Sequence, residues 1–132
     1  MKYLLDTNIC IYLIKKRPLG VLRRLKEMRL SDIGISSITL SELEYGVEKS
    51  ERREQNKAAL IEFAAPLQVF PYDDLAAMEY GRIRAFLEKR GRPLGPLDML
   101  IAAHALALNF VLVTNNLREF RRVPALRVEN WV

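Results

Sequence analysis

Apolar and polar positions along this chain fall into short runs that switch between two periods. Lys2 to Leu5 is a brief, mostly apolar stretch that ends at Asp6, and Thr7 to Lys15 then places apolar residues at Ile9, Ile11, Tyr12, Leu13 and Ile14. The first run predicts a strand and the second a helix. A second helix, from Pro18 to Leu30, opens with proline in its first turn. Asp32 to Ile35 predicts the second strand. Ser36 or Ser37 then caps a helix through Glu48, whose apolar face is Ile38, Leu43 and Val47 with Leu40 nearby. Glu51 to Ala64 reads as the next helix, and Leu67 to Phe70, after Pro66, as a strand. Asp73 caps a long amphipathic helix with Leu75, Met78, Ile83, Phe86 and Leu87 turned inward, stopped by Gly91 and Pro93. Pro96 opens a helix over Leu97 to Leu108, which feeds the strand Phe110 to Val113, and a last strand at Leu126 to Val128 precedes Trp131. Strands this apolar, separated by helices, predict a parallel sheet covered on both faces, a three-layer α/β/α sandwich.

Composition narrows this picture without changing it. The chain has 132 residues, half of them apolar and 28% charged. That suits one globular domain over residues 1–132 that buries about two thirds of its unfolded surface. A single cysteine, Cys10, has no partner for a disulfide or a zinc pattern and points to a reducing cytoplasm. Lys2 and Asp6 leave no room for a signal-peptide core. The longest apolar stretch, Met99 to Val113, is broken by His104 and Asn109 and is too short for a bilayer, so no membrane partner is expected.

Charge suggests the partner. The formal net charge is +5, which favours an anionic ligand. Four basic clusters carry it: Arg23, Arg24 and Lys26; Lys49, Arg52 and Arg53; Lys89, Arg90 and Arg92; and Arg118, Arg121 and Arg122. Each alone reads as a solvated helix face. No basic stripe interleaved with aromatic residues is present, so stacking of single-stranded bases is not indicated.

Four acids recur in comparable settings. Asp6 ends the first strand, Glu42 lies in the helix after the second, Asp98 sits in the first turn of the helix before the fourth, and Glu119 lies just beyond that strand. Each alone has an ordinary explanation as a helix N-terminal or solvated acid. Together they are candidates for one site, because the carboxyl edge of an open α/β sheet is where such positions meet. Converging carboxylates repel one another unless their pKa values rise or a cation binds. All-oxygen ligation selects a hard ion, Mg²⁺ or Mn²⁺, rather than zinc. Two such ions, about 3.5–4 Å apart, can activate a water and clamp a phosphodiester for in-line displacement.

Other chemistries lack their residues. Ribonuclease action through the 2′-hydroxyl commonly uses paired histidines, and only His104 is available, between two alanines of a helix, where it reads as structural. No glycine-rich phosphate loop and no GxSxG serine occurs. A phosphoacceptor signalling domain also suits the length and pattern, but Asp6 stands alone where such modules carry an acidic pair. A haloacid-dehalogenase-like phosphatase has an aspartate where this chain has Asn8.

The segments YLLDTNI (Tyr3 to Ile9), SSITLSELEYG (Ser36 to Gly46), GPLDMLIAAHA (Gly95 to Ala105), VTNNLREF (Val113 to Phe120) and VENW (Val128 to Trp131) resemble PIN-domain ribonucleases. More narrowly, they resemble the VapC toxins of toxin–antitoxin pairs. The resemblance runs the length of the chain. It implies a PIN fold, Mg²⁺-dependent endoribonuclease activity on structured RNA, commonly tRNA, and inhibition by a VapB-type antitoxin. It further implies a homodimer that reaches promoter DNA only through the antitoxin.

Asp6 and Asp98 match the family's two principal metal-associated aspartates, and Glu42 matches its glutamate. Many PIN domains carry an aspartate where this chain has Asn116, and Glu119, three residues on, is the candidate fourth acid. On this reading Thr7 and Thr114 orient carboxylates or metal-bound water from behind, with Asn116 beside them. A PIN-like module that binds RNA or protein without cutting is the alternative should Glu119 not take the aspartate's place.

Overall fold

The computed structural model describes residues 2–132, and its sheet places the first strand in the middle. Five parallel strands run in the order β3-β2-β1-β4-β5: β1 (Tyr3–Leu5), β2 (Ile33–Ser36), β3 (Gln68–Phe70), β4 (Val111–Val113) and β5 (Val128–Glu129). Successive strands leave β1 on one side as far as β3, and the chain then returns to the other side of β1 with β4. This reversal puts a topological switch point between β1 and β4, and crevices at such points open at the carboxyl ends of the strands.

Helices cover both faces because the strands are apolar on both. Leu4 and Leu112 face a layer made by α5 (Asp74–Lys89) and α6 (Pro96–Leu108), closed by Phe120 of the short α7 (Leu117–Phe120). Leu5, Val113, Ile33 and Ile35 face the other layer, formed by α1 (Thr7–Lys15), α2 (Leu19–Lys26), α3 (Ser37–Glu48) and α4 (Arg53–Ala64). Trp131 seals that second core against Tyr3, ring centroids 5.7 Å apart. The three-layer arrangement is the one the strand pattern predicts. Among the described residues no helix is long and apolar enough to cross a membrane.

The last strand is Val128–Glu129 rather than Leu126 to Val128, α4 starts at Arg53 rather than Glu51, and two larger details also differ from expectation. The second helix does not run from Pro18 to Leu30. Pro18 is its N-cap and it stops at Lys26, where the Glu27 amide bonds back to the Arg24 and Leu25 carbonyls; a single 3-10 turn, Leu30–Asp32, follows. A helix carried to Leu30 would leave too little chain to turn into β2 at Ile33. On α5, Leu75 and Met78 are 57% and 71% exposed rather than turned inward. The buried stripe is Ala76, Ile83 and Leu87, because α5 lies along α6, whose Ala102, Ala103 and Ala105 are buried. Leu75 and Met78 project from α5 outside that stripe, so neither reaches the contact with α6.

Gly34 has a packing role inside the sheet. It pairs with Leu4 and Gln68, and the Phe70 ring occupies the space above it, meeting Phe110 edge-on at 5.2 Å. A Cβ on Gly34 would press on the Phe70 ring and stand 2.8 Å from the Gln68 carbonyl oxygen, which cannot move without breaking the β2–β3 ladder. Gly34→Ala is therefore expected to destabilise the protein by about 2–3 kcal/mol, the upper range for an overpacked core. Urea unfolding checks this, and a variant as stable as wild type contradicts the packing.

Candidate metal centre

Asp6 is the residue that the switch point positions most tightly. Its amide donates to the Val113 carbonyl at 2.9 Å, which fixes the end of β1 against the end of β4. As N-cap of α1, its Oδ1 accepts from the Ile9 amide at 3.1 Å, and its Oδ2 accepts from the Thr114 hydroxyl at 2.6 Å. Only 5% of the residue is exposed. Burial raises its pKa above the ordinary carboxylate value, and the bonds from Thr114, Ile9 and Asn8 only partly offset that. Thr114 is itself fixed. Its amide donates to the Glu129 carbonyl and its hydroxyl accepts from the Asn116 amide at 3.0 Å, so its one proton is directed to Asp6.

Glu42 is held in the same way. Thr7, first residue of α1, donates to Glu42 Oε1 at 2.9 Å, and the Thr39 hydroxyl lies 3.5 Å from that of Thr7. Ser36, rather than Ser37, caps α3 by accepting from the Ile38 amide, and this start sets the turn on which Thr39 and Glu42 lie. Thr39 was not anticipated from the sequence; a polar residue at a fully buried position of an otherwise apolar helix face is the signal that marks it. Glu119 sits on α7, its Oε2 accepting from the Asn116 side-chain amide at 3.0 Å. The asparagine at the aspartate position therefore grips the acid three residues on.

Asp98, in the first turn of α6, receives no side-chain hydrogen bond among the described residues. Its pKa is raised to about 6, first by burial and then by the charges of Asp6, Glu119 and Glu42. Asp6, Glu119 and Glu42 are the like charges that bear on Asp98, and two of them, Asp6 and Glu42, are held by Thr114 and Thr7. Among the described residues no three acids, histidines or cysteines already meet as a coordination shell. The acids are thus neighbours in one field rather than a closed cage. The donor set is entirely oxygen and its charge is uncompensated, which fits a hard divalent cation.

Nearby groups are excluded from this chemistry by their surroundings. His104 is buried, with Nδ1 2.7 Å from the Ser36 hydroxyl and its ring edge-on to Tyr72, and burial lowers its pKa. It joins α6 to the β2–α3 junction, the structural role expected of it. Burial, then the charges of Asp6 and Glu42, pushes the Cys10 thiol well above its usual pKa, so it stays protonated. An apolar cleft of about 220 Å³, walled by Ile11, Ile14, Leu43, Val47 and Leu60, opens beside Glu42. Sequence reading did not foresee it, since it exists only where α1, α3 and α4 meet.

Comparison with known proteins identifies the family and the fold. A PIN domain family model matches residues 3–126. Over 132 residues, all of this chain and 99% of the relative, the sequence is 49% identical to a protein of Haemophilus influenzae named Ribonuclease VapC2. It is 48% identical to one of Salmonella typhimurium named tRNA(fMet)-specific endonuclease VapC, covering 99% of this chain and 98% of that protein. Among solved structures, DNA-bound VapBC from Salmonella typhimurium superposes with a TM-score of 0.94 at 48% identity over 100% of this chain and 99% of the other. VapBC2 from Rickettsia felis, bound to a promoter DNA fragment, does so with a TM-score of 0.94 at 44% identity, covering both chains fully. With its central parallel sheet and full-length similarity, the chain belongs to the VapC family of PIN-domain ribonucleases.

Proposed function

We propose that this chain is, as a single PIN domain, the toxin of a type II toxin–antitoxin pair: an endoribonuclease of the cytoplasm that uses Mg²⁺, or Mn²⁺ in its place, to hydrolyse structured RNA, with tRNA the favoured substrate. The observation that carries the reading is that Thr114 and Thr7 hold Asp6 and Glu42 at the carboxyl edge of the sheet, with Asp98 near enough to feel both charges. Four acids crowded at the switch point of a sheet cost stability unless a cation joins them, so their presence argues for one. Asp6, Asp98, Glu42 and Glu119 are the residues that would hold it. A cation held there would supply Lewis acidity toward the scissile phosphate and an attacking water.

The chain's own side chains provide the rest. Thr114 and Thr7 each direct their proton to one carboxylate, keeping Asp6 and Glu42 turned into the site. Asn116 holds Glu119. Hydrolysis by water leaves 5′-phosphate and 3′-hydroxyl ends. The relatives named for tRNA(fMet) cleavage support tRNA as the substrate, and the VapBC complexes support a VapB-type antitoxin as partner, with promoter DNA bound through it. The apolar cleft beside Glu42 suits a segment of that antitoxin, and exposed Leu75 and Met78 suit a second copy in a homodimer.

Incubation of the purified protein with cellular RNA tests the reading. Cleavage with Mg²⁺, none with EDTA, and products degraded by a 5′-phosphate-dependent exonuclease are expected. Cutting in EDTA, or 2′,3′-cyclic phosphate ends, would exclude metal-assisted hydrolysis, and binding without cutting under all conditions would favour the non-cleaving module.

A further inference from the structure

Two of the four basic clusters flank Asp98 and Glu119 along the chain and are joined by a hydrogen bond, and among the described residues they differ from the other two in having no acidic partner. The turn between α5 and α6 carries Lys89, Arg90 and Arg92, with no acid between Lys89 and Leu97. This turn leads straight into Gly95, the N-cap of α6, which stands in the same helical turn as Asp98, a Cβ there lying 3.8 Å from Asp98 Oδ2. Opposite it, α7 and its C-terminal turn carry Arg118, Arg121 and Arg122 around Glu119. The half-buried Arg122 ties the segments together by donating from Nη1 to the Pro93 carbonyl at 3.4 Å, and its buried Nε has no partner. Among the described residues none of these six cations is paired with a carboxylate, and Arg90 lies 3.8 Å over the Phe86 ring.

The other clusters are partly neutralised. Arg24 pairs with Glu129 and Glu27, stacked over Trp131; Arg53 pairs with Glu48, and the adjoining Lys57 with Glu44. Helices α3 and α4 also carry further acids, Glu54 and Glu62 among them.

We infer that the phosphate backbone of the RNA enters across the α5–α6 turn and α7, and not across α2 or the α3–α4 turn. The inference rests on the ribonuclease reading and adds the side from which the substrate approaches. Unpaired guanidinium groups attract phosphates without reading bases, and the absence of exposed aromatic platforms among them makes the contact one of shape and charge. Flanking the acids with these cations offsets the repulsion that a carboxylate cluster exerts on an incoming phosphodiester.

The test measures binding of bulk tRNA in EDTA, where no cutting is expected, over a series of KCl concentrations. Arg92 and Arg121 are exposed and make no side-chain hydrogen bond among the described residues, so Arg92→Ala with Arg121→Ala should fold as wild type does. The slope of log affinity against log salt is expected to fall by about 1.4–1.8, the loss of two phosphate contacts. The control pair, Arg23→Ala with Lys26→Ala, should leave the slope unchanged. An unchanged slope in the first pair, or an equal loss in the control pair, overturns the inference while leaving Mg²⁺-dependent cleavage by wild type intact. Failure of wild type to cleave RNA with Mg²⁺ would instead remove the ribonuclease reading beneath it.

Discussion

Asp98→Asn is expected to abolish RNA cleavage, by about 10³-fold or more, while leaving the protein folded and no less stable. Losing a group that supports a metal ligand costs 10–100-fold, and losing one preorganised charge-stabilising group costs 10²–10³-fold, so removing a ligand itself should cost at least as much. Stability should hold because Asp98 contributes repulsion rather than bonds to the cation-free fold: it accepts no side-chain hydrogen bond, and its pKa of about 6 reflects burial and three like charges. An amide of the same shape removes that repulsion. Asp6→Asn should be equally inactive but less stable. Asp6 accepts from both Ile9 and Thr114, and an asparagine keeps only one acceptor oxygen for the two. The difference of about 1–2 kcal/mol is that of a buried Thr114 hydroxyl left without its acceptor, since asparagine caps a helix as well as aspartate does. Cleavage assays with thermal unfolding of both variants check this, and full activity in either would remove that residue from the site.

Addition of Mg²⁺ or Mn²⁺ should raise the melting temperature near neutral pH by roughly 10 °C at about 100 times the dissociation constant. A ligand at that level adds about 2.7 kcal/mol, and a chain of this size shifts by about 4 °C per kcal/mol. The sign of the pH dependence follows from opposing groups: Asp6 is raised as Asp98 is, while Glu129 is lowered by its bond from Arg24 and so holds stability that is lost as pH falls. The folded pKa of Asp98, about 6, lies above its ordinary value of 3.8, so the cation-free fold gains stability as pH falls through 6 and loses it as pH rises. His104 acts the other way. Its folded pKa lies below 6.5, so its contribution is complete above that value and is lost as pH falls. A cation relieves only the carboxylate part. Its stabilising effect should therefore be largest at pH 7–8 and shrink toward pH 5, where protons compete for the same oxygens. The shift should vanish in Asp98→Asn. A melting temperature indifferent to both ions at neutral pH would argue against a metal centre.

Much of this architecture was legible because it rests on local signals. Asp6, Ser36 and Asp73 each cap the helix they precede, and the left-handed Asn109 ends α6 where an apolar strand begins. The four acids stood out because each occupies an end of a strand or an early turn of a helix. Less legible were features that depend on which elements become neighbours. Leu75 and Met78 have the right periodicity for a core face, yet the alanines of α6 draw Ala76, Ile83 and Leu87 to the contact instead. Helix α7 is a single turn, too short to show a period, and so the Asn116–Glu119 hydrogen bond that it creates was open until the fold was known.

By itself, then, the sequence determined the alternation of strands and helices, the parallel sheet, the family and the identities of the acids, because periodicity, capping and motif order act over a few residues at a time. Only the tertiary structure decided that β1 lies between β2 and β4, that Thr114 reaches Asp6 across 108 positions and Thr7 reaches Glu42 across 35, and that Arg122 of one basic cluster bonds the turn that carries another, while Arg24 and Arg53 pair with acids. Such pairings are set by the packing of whole elements on one another. Asp98 shows the difference most clearly: its place on a helix is local, while its raised pKa arises from three charges brought in from other parts of the chain.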